Sequence, residues 1–500
     1  AVALFGLALG ISSMSLLTYV IDIPAWAPEV GTMVGLGVGI DYALFLVARH
    51  REYLARGMTV EESVGRAVAT AGSAVVFAGG TVVIAILGLA FSGVPFITAG
   101  GIGIAAIVLI MVLASLTLVP ALLGMAGPWI NRLGIHRRSA PAPGSGWQRW
   151  GAHVSRRAGS YALGGTALLL AVSAPALALQ VGTPDEGSLP EERTERQAYD
   201  LVAEGFGPGA NGPLVIAVDV AGDEGAVGRL RAAVAGDRGI ASVAPAVVDD
   251  AAGVATILAF PTTGPQDGAT ISTVRRLRAD VFPAAIADGP ARAHVGGQTA
   301  TFADVAEKVG DRLPVFIGGV ILLSLVLLTM VFRSVLVPVK AALLNLLSIG
   351  ASFGVLVMVF QWGWGAGLIG LETTVPIVPF IPMFMFAILF GLSMDYEVFL
   401  LSRVREEFLR TGESQGAVVH GIAKTGRVIT SAALIMIAVF LGFVLSSDPT
   451  VKMFGLGLAV AILVDATIVR MVLVPATMKL LGDANWWLPG WLDRVLPRID

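Results

Sequence analysis

The chain has 500 residues, of which 55% are hydrophobic and 14% are charged. Soluble domains carry roughly a quarter charged residues, so this composition and a mean hydropathy of +0.81 exclude an ordinary soluble protein and indicate a polytopic membrane protein. The net charge of −3 argues against a nucleic-acid partner, and the absence of cysteine excludes disulfide and thiol chemistry.

Ten apolar segments are long enough to cross a bilayer, which takes about 20 apolar residues per helix. They are residues 1–20, 30–49, 67–91, 96–125, 158–179, 313–332, 337–360, 380–402, 427–446 and 451–481. No basic region precedes the first segment, so we interpret it as a membrane span and not as a signal peptide.

Basic residues between the spans set the orientation, because lysine and arginine concentrate in cytoplasmic loops. They follow spans two, four, six and eight: Arg49 and Arg403 are examples, and Arg333 and Lys340 flank the turn after span six. One alternating topology places all of them in the cytoplasm. Residues 180–312 then lie outside the cell, and their 19 acidic and 11 basic residues suit a solvated domain.

The outside segment alternates strand and helix patterns. We predict strands at 212–220, 240–248, 253–261 and 291–297, and helices at 225–236 and 271–286, before a last helix that leads back to the membrane. The order β-α-β-β-α-β is typical of the ferredoxin-like, or split βαβ, arrangement.

An internal repeat connects the two halves of the chain. Residues 37–57, GVGIDYALFLVARHREYLARG, resemble residues 391–411, GLSMDYEVFLLSRVREEFLRT, and Asp395 lies 354 positions after Asp41. Near its end the match slips by one residue, so that LVPAL at 118–122 meets LVPAT at 473–477. Both copies reach a cytoplasmic arginine at the same point, which indicates a parallel repeat related by a pseudo-two-fold axis along the membrane normal.

The predicted fold is therefore a polytopic α-helical membrane protein of about ten transmembrane helices with a parallel internal repeat and one α+β ferredoxin-like extracytoplasmic domain. The predicted organisation is four first-repeat helices (1–125), a cytoplasmic loop with an amphipathic stretch (126–157), a span (158–179), the outside domain (180–312), five second-repeat helices (313–481) and an interfacial tail (482–500).

Two aspartate–tyrosine pairs are the main candidate site: Asp41 with Tyr42, and Asp395 with Tyr396. Each aspartate lies eight residues before its arginine, about 12 Å along a helix and so near the middle of a core about 30 Å thick. A single intramembrane aspartate can simply cap a helix or pair with a cation. Two equivalent copies at one depth, each followed by tyrosine, favour a proton relay.

Three further charged residues lie in the predicted spans. Glu397 is about 200° from Asp395 around the helix and matches Ala43 in the first repeat, so we interpret it as a structural partner of a basic or polar group nearer the cytoplasm. Asp465 matches Met111. Arg470 either extends its side chain to the interface or pairs with Asp465.

The segments IDYALFLVARHRE, GLSMDYEVFLLSRVREE and VDATIVRMVLVPATMKLLG resemble the MMPL (mycobacterial membrane protein large) family of the resistance–nodulation–division superfamily. The resemblance implies twelve helices, two porter domains and export of lipids or other hydrophobic molecules across the plasma membrane, driven by protons as the coupling ion and without a cofactor. It implies that the two aspartate–tyrosine pairs relay protons and that Asp465 and Arg470 form an acidic–basic pair. The cargo, and a monomeric or trimeric state, stay open.

The chain departs from this pattern, because it has ten predicted spans and one porter domain. We expect it to be truncated at its N-terminus, with Ala1 in the family's third helix, and a natural short form is the alternative. Two other functions are considered besides transport: a sterol-sensing or receptor-like relative, and an intramembrane aspartyl protease. GVGID at 37–41 is one residue longer than the GxGD signature of such proteases, and no P-loop, HExxH or Cys/His cluster occurs, so we do not expect an enzyme.

Overall fold

The computed structural model describes residues 2–131, 146–223, 225–287 and 289–496, without the side chains of Pro128, Asn131, Asp395 and Val495. Within the described residues, nine helices are long and apolar enough to cross a membrane, and a further apolar helix at Val2–Leu17 is shorter. The prediction of a polytopic α-helical membrane protein is confirmed.

The helices are, in chain order, α1 Val2–Leu17, α2 Ala27–Ala55, α3 Val60–Ser92, α4 Pro95–Ala126, α5 Gly146–Arg156, α6 Ala158–Ala178, α7 Thr194–Phe206, α8 Ala226–Ala235, α9 Gly268–Arg276, α10 Phe282–Ile286, α11 Gln298–Phe332, α12 Leu336–Gln361, α13 Ile381–Thr411, α14 Ser414–Phe443, α15 Pro449–Trp486 and α16 Gly490–Val495. Helices α4 and α15 begin at the repeat-equivalent prolines Pro95 and Pro449, where the missing N–H costs nothing and the fixed φ angle suits the first turn.

The two repeats meet through equivalent contacts. Helix α13 packs against α3, and α14 packs against α2, which is the same contact in the other half. Equivalent glycines allow both approaches: a Cβ atom on Gly37 would lie 3.1 Å from Phe440, and one on Gly391 would lie 2.8 Å from Val82. The phenylalanine rings of Phe45 and its counterpart Phe399 touch each other, with centroids 5.2 Å apart, so the pseudo-two-fold axis passes beside them.

The outside domain contains the predicted sheet. Its strands are β1 Leu214–Asp219, β2 Ile240–Val243, β3 Val247–Asp249, β4 Val254–Pro261 and β5 Arg292–Gly296. The order across the sheet is β2-β4-β1-β5, with β3 also on β4, and every pairing is antiparallel. Alternate residues of β1, namely Leu214, Ile216 and Val218, pack in the domain core with Leu230 of α8. This is the split βαβ arrangement.

Prolines account for two differences from the predicted elements. The strand expected at 240–248 divides into β2 and β3 around Pro245, which has no N–H for a sheet hydrogen bond. The helix expected at 271–286 contains a π-helical turn at Leu277–Val281, directly before the segment that carries Pro283. Helix α11 runs unbroken through the predicted domain boundary at 312. The domain boundaries themselves stay predictions.

Candidate functional site

Asp41 lies at the contact between the two repeats. It is 2% exposed, and its carboxyl interacts with the nearby hydroxyl of Tyr396 of the other repeat, which is itself 4% exposed. Tyr42 is also buried. The backbone of Asp395 belongs to α13, whereas its side chain lies outside the described residues. One half of the predicted aspartate–tyrosine site is therefore seen to connect the repeats directly.

Arg470 pairs with Asp465 and does not extend to the interface. Its Nε and Nη2 atoms lie 2.7 Å and 2.6 Å from Asp465 Oδ2, and its side chain is 2% exposed. Residues five apart lie on different faces of an α-helix, but Asp465–Leu473 forms a π-helix. Because π-helical hydrogen bonds join residues five apart, this segment brings the two side chains together.

The same π-helix explains why the sequence repeat slips by one residue. Met111 in the first repeat matches Asp465 at a spacing of 354, but Leu118 matches Leu473 at a spacing of 355. The extra residue of the second repeat thus falls within Asp465–Leu473. The first-repeat helix α4 is α-helical throughout the equivalent region.

Arg470 also contacts α13. Its Nη2 donates to the Ser393 backbone carbonyl and lies 3.1 Å from the Ser393 hydroxyl. The Ser393 hydroxyl donates to Asn345 Oδ1 of α12 at 2.6 Å, and the guanidinium carbon lies 4.9 Å from the centre of the Tyr396 ring. Arg470 therefore joins α12, α13 and α15. Sequence reasoning missed Ser393 and Asn345, whose only sign in the sequence is a polar side chain within an apolar run.

Glu397 and Lys340 add two buried charges to this group. They are 5% and 8% exposed, and the charged residues that act on Glu397 are Lys340, Arg470 and Asp465. Glu397 thus belongs to the same buried charged group as Asp465, and its role as a structural partner of a basic group stays a prediction. Lys340, expected to flank the cytoplasmic turn, lies inside the bundle. The helical angle between Asp395 and Glu397 could not show on which side α12 and α15 pack.

Two cavities adjoin the site. One of about 20 Å³, lined by Asn345, Tyr396, Asp465 and Arg470, has room for roughly one water molecule. A larger cavity of about 360 Å³ lies between α2, α3 and α13 and runs from Tyr42 toward the cytoplasmic ends of the helices. At that end are two equivalent ion pairs, Arg49 with Glu52 at 2.8 Å and Arg403 with Glu406 at 2.6 Å.

Comparison with known proteins identifies the family. A model of the MMPL family matches residues 1–161 and 216–497. The chain belongs to the MMPL family. This MMPL chain is 40% identical to membrane protein YdfJ of Bacillus subtilis over all of its own length and 68% of that protein. The resemblance stated from the sequence motifs is confirmed, and with it a multi-pass plasma-membrane protein of the resistance–nodulation–division superfamily.

Other relatives carry names that describe transport. The MMPL chain is 37% identical to the mycolic acid-containing lipids exporter MmpL11 of Mycolicibacterium smegmatis, over 94% of this chain and 50% of that one. It is 31% identical to the trehalose monomycolate exporter MmpL3 of the same organism, over 98% and 52%. A Mycobacterium tuberculosis relative, 38% identical over 94% and 49%, is named heme uptake protein MmpL11. The chain spans about half the length of these three relatives.

Solved structures show the same fold. Two crystal structures of SecDF, one of them from Thermus, superpose with TM-scores of 0.53 and 0.55 at 14% and 15% identity. They cover 99% and 96% of this chain, which in turn covers 58% of each. At this identity the likeness supports the architecture and not a shared activity.

Proposed function

We propose that this chain couples proton flow to the export of lipids or other hydrophobic molecules across the plasma membrane. The observation that carries the proposal is the buried contact between Asp41 of the first repeat and Tyr396 of the second, beside the buried Asp465–Arg470 pair. Ionisable groups buried in a membrane protein are costly and mark ion or proton pathways. Here they lie where the two repeats meet.

Protonation of Asp41 would change the forces at this contact. The carboxylate is stabilised by the nearby Tyr396 hydroxyl and is attracted by Arg470, and attraction between charges is strong where water is excluded. A proton on Asp41 removes the charge that both partners face. The connection between the repeats then weakens, and Arg470 keeps only its contacts with Asp465 and Ser393. The larger cavity leads from Tyr42 toward the cytoplasm and provides the route for release.

The outside domain would receive the movement through the helices that enter it. Helix α11 extends from the end of β5 to the cytoplasmic side without a break. Helix α6 precedes the domain in the chain, and a parallel bridge between Val181 and Ile377 connects the segment after α6 to the segment before α13. The relatives' names support a hydrophobic cargo. Protons are the only coupling ion that the proposal needs, and it involves no cofactor and no catalytic step.

Liposomes that contain the purified chain test the proposal. We expect an imposed pH gradient to drive both proton flux, measured with an enclosed pH-sensitive dye, and transfer of a fluorescent long-chain lipid. Asp41→Asn should abolish both, because an amide cannot carry the proton, whereas Glu61→Gln on the exposed start of α3 should abolish neither.

The outcomes separate the alternatives. Normal proton flux in Asp41→Asn would disprove the relay. Lipid transfer that does not depend on the pH gradient would favour a lipid-sensing relative. Inward transfer would favour uptake, the direction that one relative's name describes.

A further inference from the structure

The short cytoplasmic helix α5 contacts the π-helical segment that carries the buried ion pair. The indole N–H of Trp150 donates to the backbone carbonyl of Met471 at 2.9 Å. Met471 directly follows Arg470 in the π-helix Asp465–Leu473. A side chain 321 positions earlier in the chain thus reaches the turn that holds Arg470.

Pro475 lies four residues after Met471. In an α-helix the carbonyl of Met471 would accept from the N–H of residue 475, and proline has no N–H. Met471 belongs to a π-helix, in which hydrogen bonds join residues five apart. The Trp150 indole adds a hydrogen bond from another helix to this turn, at a carbonyl that α-helical pairing could not satisfy. The first repeat has the equivalent Pro120 inside an uninterrupted helix, without a π-helical segment beside it.

Helix α5 also fills space that the π-helix leaves open. In the first repeat, a Cβ atom on Gly72 would lie 3.2 Å from the Leu116 side chain. The counterpart of Gly72 is Gly426, where the nearest side chain is that of Trp147 of α5, 2.9 Å away. At the spacing of 354 the residue that corresponds to Leu116 is Arg470, which turns toward Asp465 instead. Trp147 packs where the first repeat has Leu116.

We propose that Trp150 is a positioning residue for the Asp465–Arg470 pair, and that α5 is a brace that keeps the π-helical turn wound. The proposal rests on the relay function proposed above. Helix α5 holds Arg470 against Tyr396. It thereby influences the proton relay, although none of its residues carries the proton. Besides Asp465, the ionisable groups that act in this cluster are Asp41 from α2, Lys340 from α12, and Tyr396 and Glu397 from α13.

Proton flux as a function of pH tests this role. In liposomes, Trp150→Phe should lower flux roughly two- to tenfold, the range expected for one net hydrogen bond, and should displace the pH at which flux is half-maximal. Trp491→Phe, at an exposed ring of α16 away from this contact, also removes ring area but no hydrogen bond to Met471, so its midpoint should equal that of the wild type. An equal displacement in both variants would overturn the hydrogen-bond role.

A measurement that needs no transport separates this inference from the relay function. In the full chain labelled with 15N at the tryptophan indoles, the Trp150 resonance is the one lost in Trp150→Phe. Arg470→Lys should shift it and leave the Trp147 resonance in place. An unchanged Trp150 resonance in Arg470→Lys would disprove the structural link between Trp150 and Arg470. If the resonance shifts but the wild-type chain shows no proton flux in liposomes, only the relay function is disproved.

Discussion

Two arginine–aspartate pairs illustrate how surroundings decide what a residue does. In the outside domain, Arg276 donates to Asp237 at 2.5 and 2.7 Å, and the Gly239 N–H donates to the same carboxylate at 2.8 Å. These hydrogen bonds hold the pKa of Asp237 below its usual range. Water remains near Arg276, so this pair can stabilise the domain. In the Asp465–Arg470 pair the arginine side chain is only 2% exposed, and loss of either partner would leave a buried charge uncompensated.

Asp237→Asn should destabilise the outside domain by about 1–3 kcal/mol at pH 7, the value of a hydrogen bond to a charged group. Because the pKa of Asp237 is lowered in the folded state, its stabilisation is complete above the unfolded value of about 3.9. It is lost as pH falls through the lower folded value. Hydrogen exchange at β2 in the full chain should therefore differ between wild type and variant at pH 7, and the two should begin to converge only as pH falls below about 4.

Asp250→Asn, at an exposed aspartate of the same domain, is the control for that comparison. We expect its hydrogen exchange at β2 to match that of the wild type. A difference between wild type and Asp237→Asn that persists unchanged at the lowest pH would contradict the role of the ion pair.

At the scale of the element, one extra residue distinguishes the two halves of the membrane bundle. Helix α4 is regular, whereas α15 contains the π-helix Asp465–Leu473. An α-helix turns about 100° per residue, so side chains five apart would point about 140° away from each other. The π-helix removes this separation, and Arg470 reaches both Asp465 and Ser393.

Two single-residue deletions test this account of α15. Deletion of Thr467 shortens the separation of Asp465 and Arg470 to four, which an α-helix places on one face. Deletion of Val472 keeps the separation at five and should separate the pair. Double-mutant cycles with Asp465→Asn and Arg470→Gln, read by thermal unfolding, should give a coupling of about 0.5–3 kcal/mol in the first deletion and almost none in the second. Equal coupling in both deletions would show that the π-helix is not what brings the pair together.

At the scale of the whole molecule, the outside domain and the bundle share a continuous helix. Helix α11 has 35 residues and so extends roughly 52 Å, from the edge of the sheet to the cytoplasmic turn. Its inner part packs against α12 and α13. A rotation of the second repeat can reach the sheet through this helix without any loop that would absorb it.

Two glycines inserted after Gly310, in the middle of α11, should separate proton flux from lipid transfer. Each glycine weakens a helix interior by about 1 kcal/mol relative to alanine, and the inserted pair also rotates the C-terminal part of α11 relative to the N-terminal part. We expect proton flux to persist and gradient-driven lipid transfer to fall severalfold in liposomes. The same insertion after Gly253, in the turn before β4, should leave both activities unchanged. Loss of proton flux in the α11 variant would mean that the domain and the relay cannot be uncoupled.

The sequence by itself determined the apolar spans, the order of elements in the outside domain and the parallel repeat, whereas the depth of Asp41 and Asp395 stays a prediction. Hydropathy, strand and helix periodicity and internal duplication are read along the chain, so they need no knowledge of packing. The family resemblance was also recognisable from the sequence, because its motifs are continuous segments of the chain.

Only the tertiary structure decided which side chains meet. The contact of Asp41 with Tyr396, the burial of Lys340 and the link from Trp150 to Met471 depend on how each helix is rotated about its own axis. A helix that is apolar on nearly every face carries no pattern that sets this rotation. The slip in the repeat marked the extra residue of α15, but only the backbone hydrogen bonds showed that a π-helix absorbs it and turns Arg470 toward Asp465.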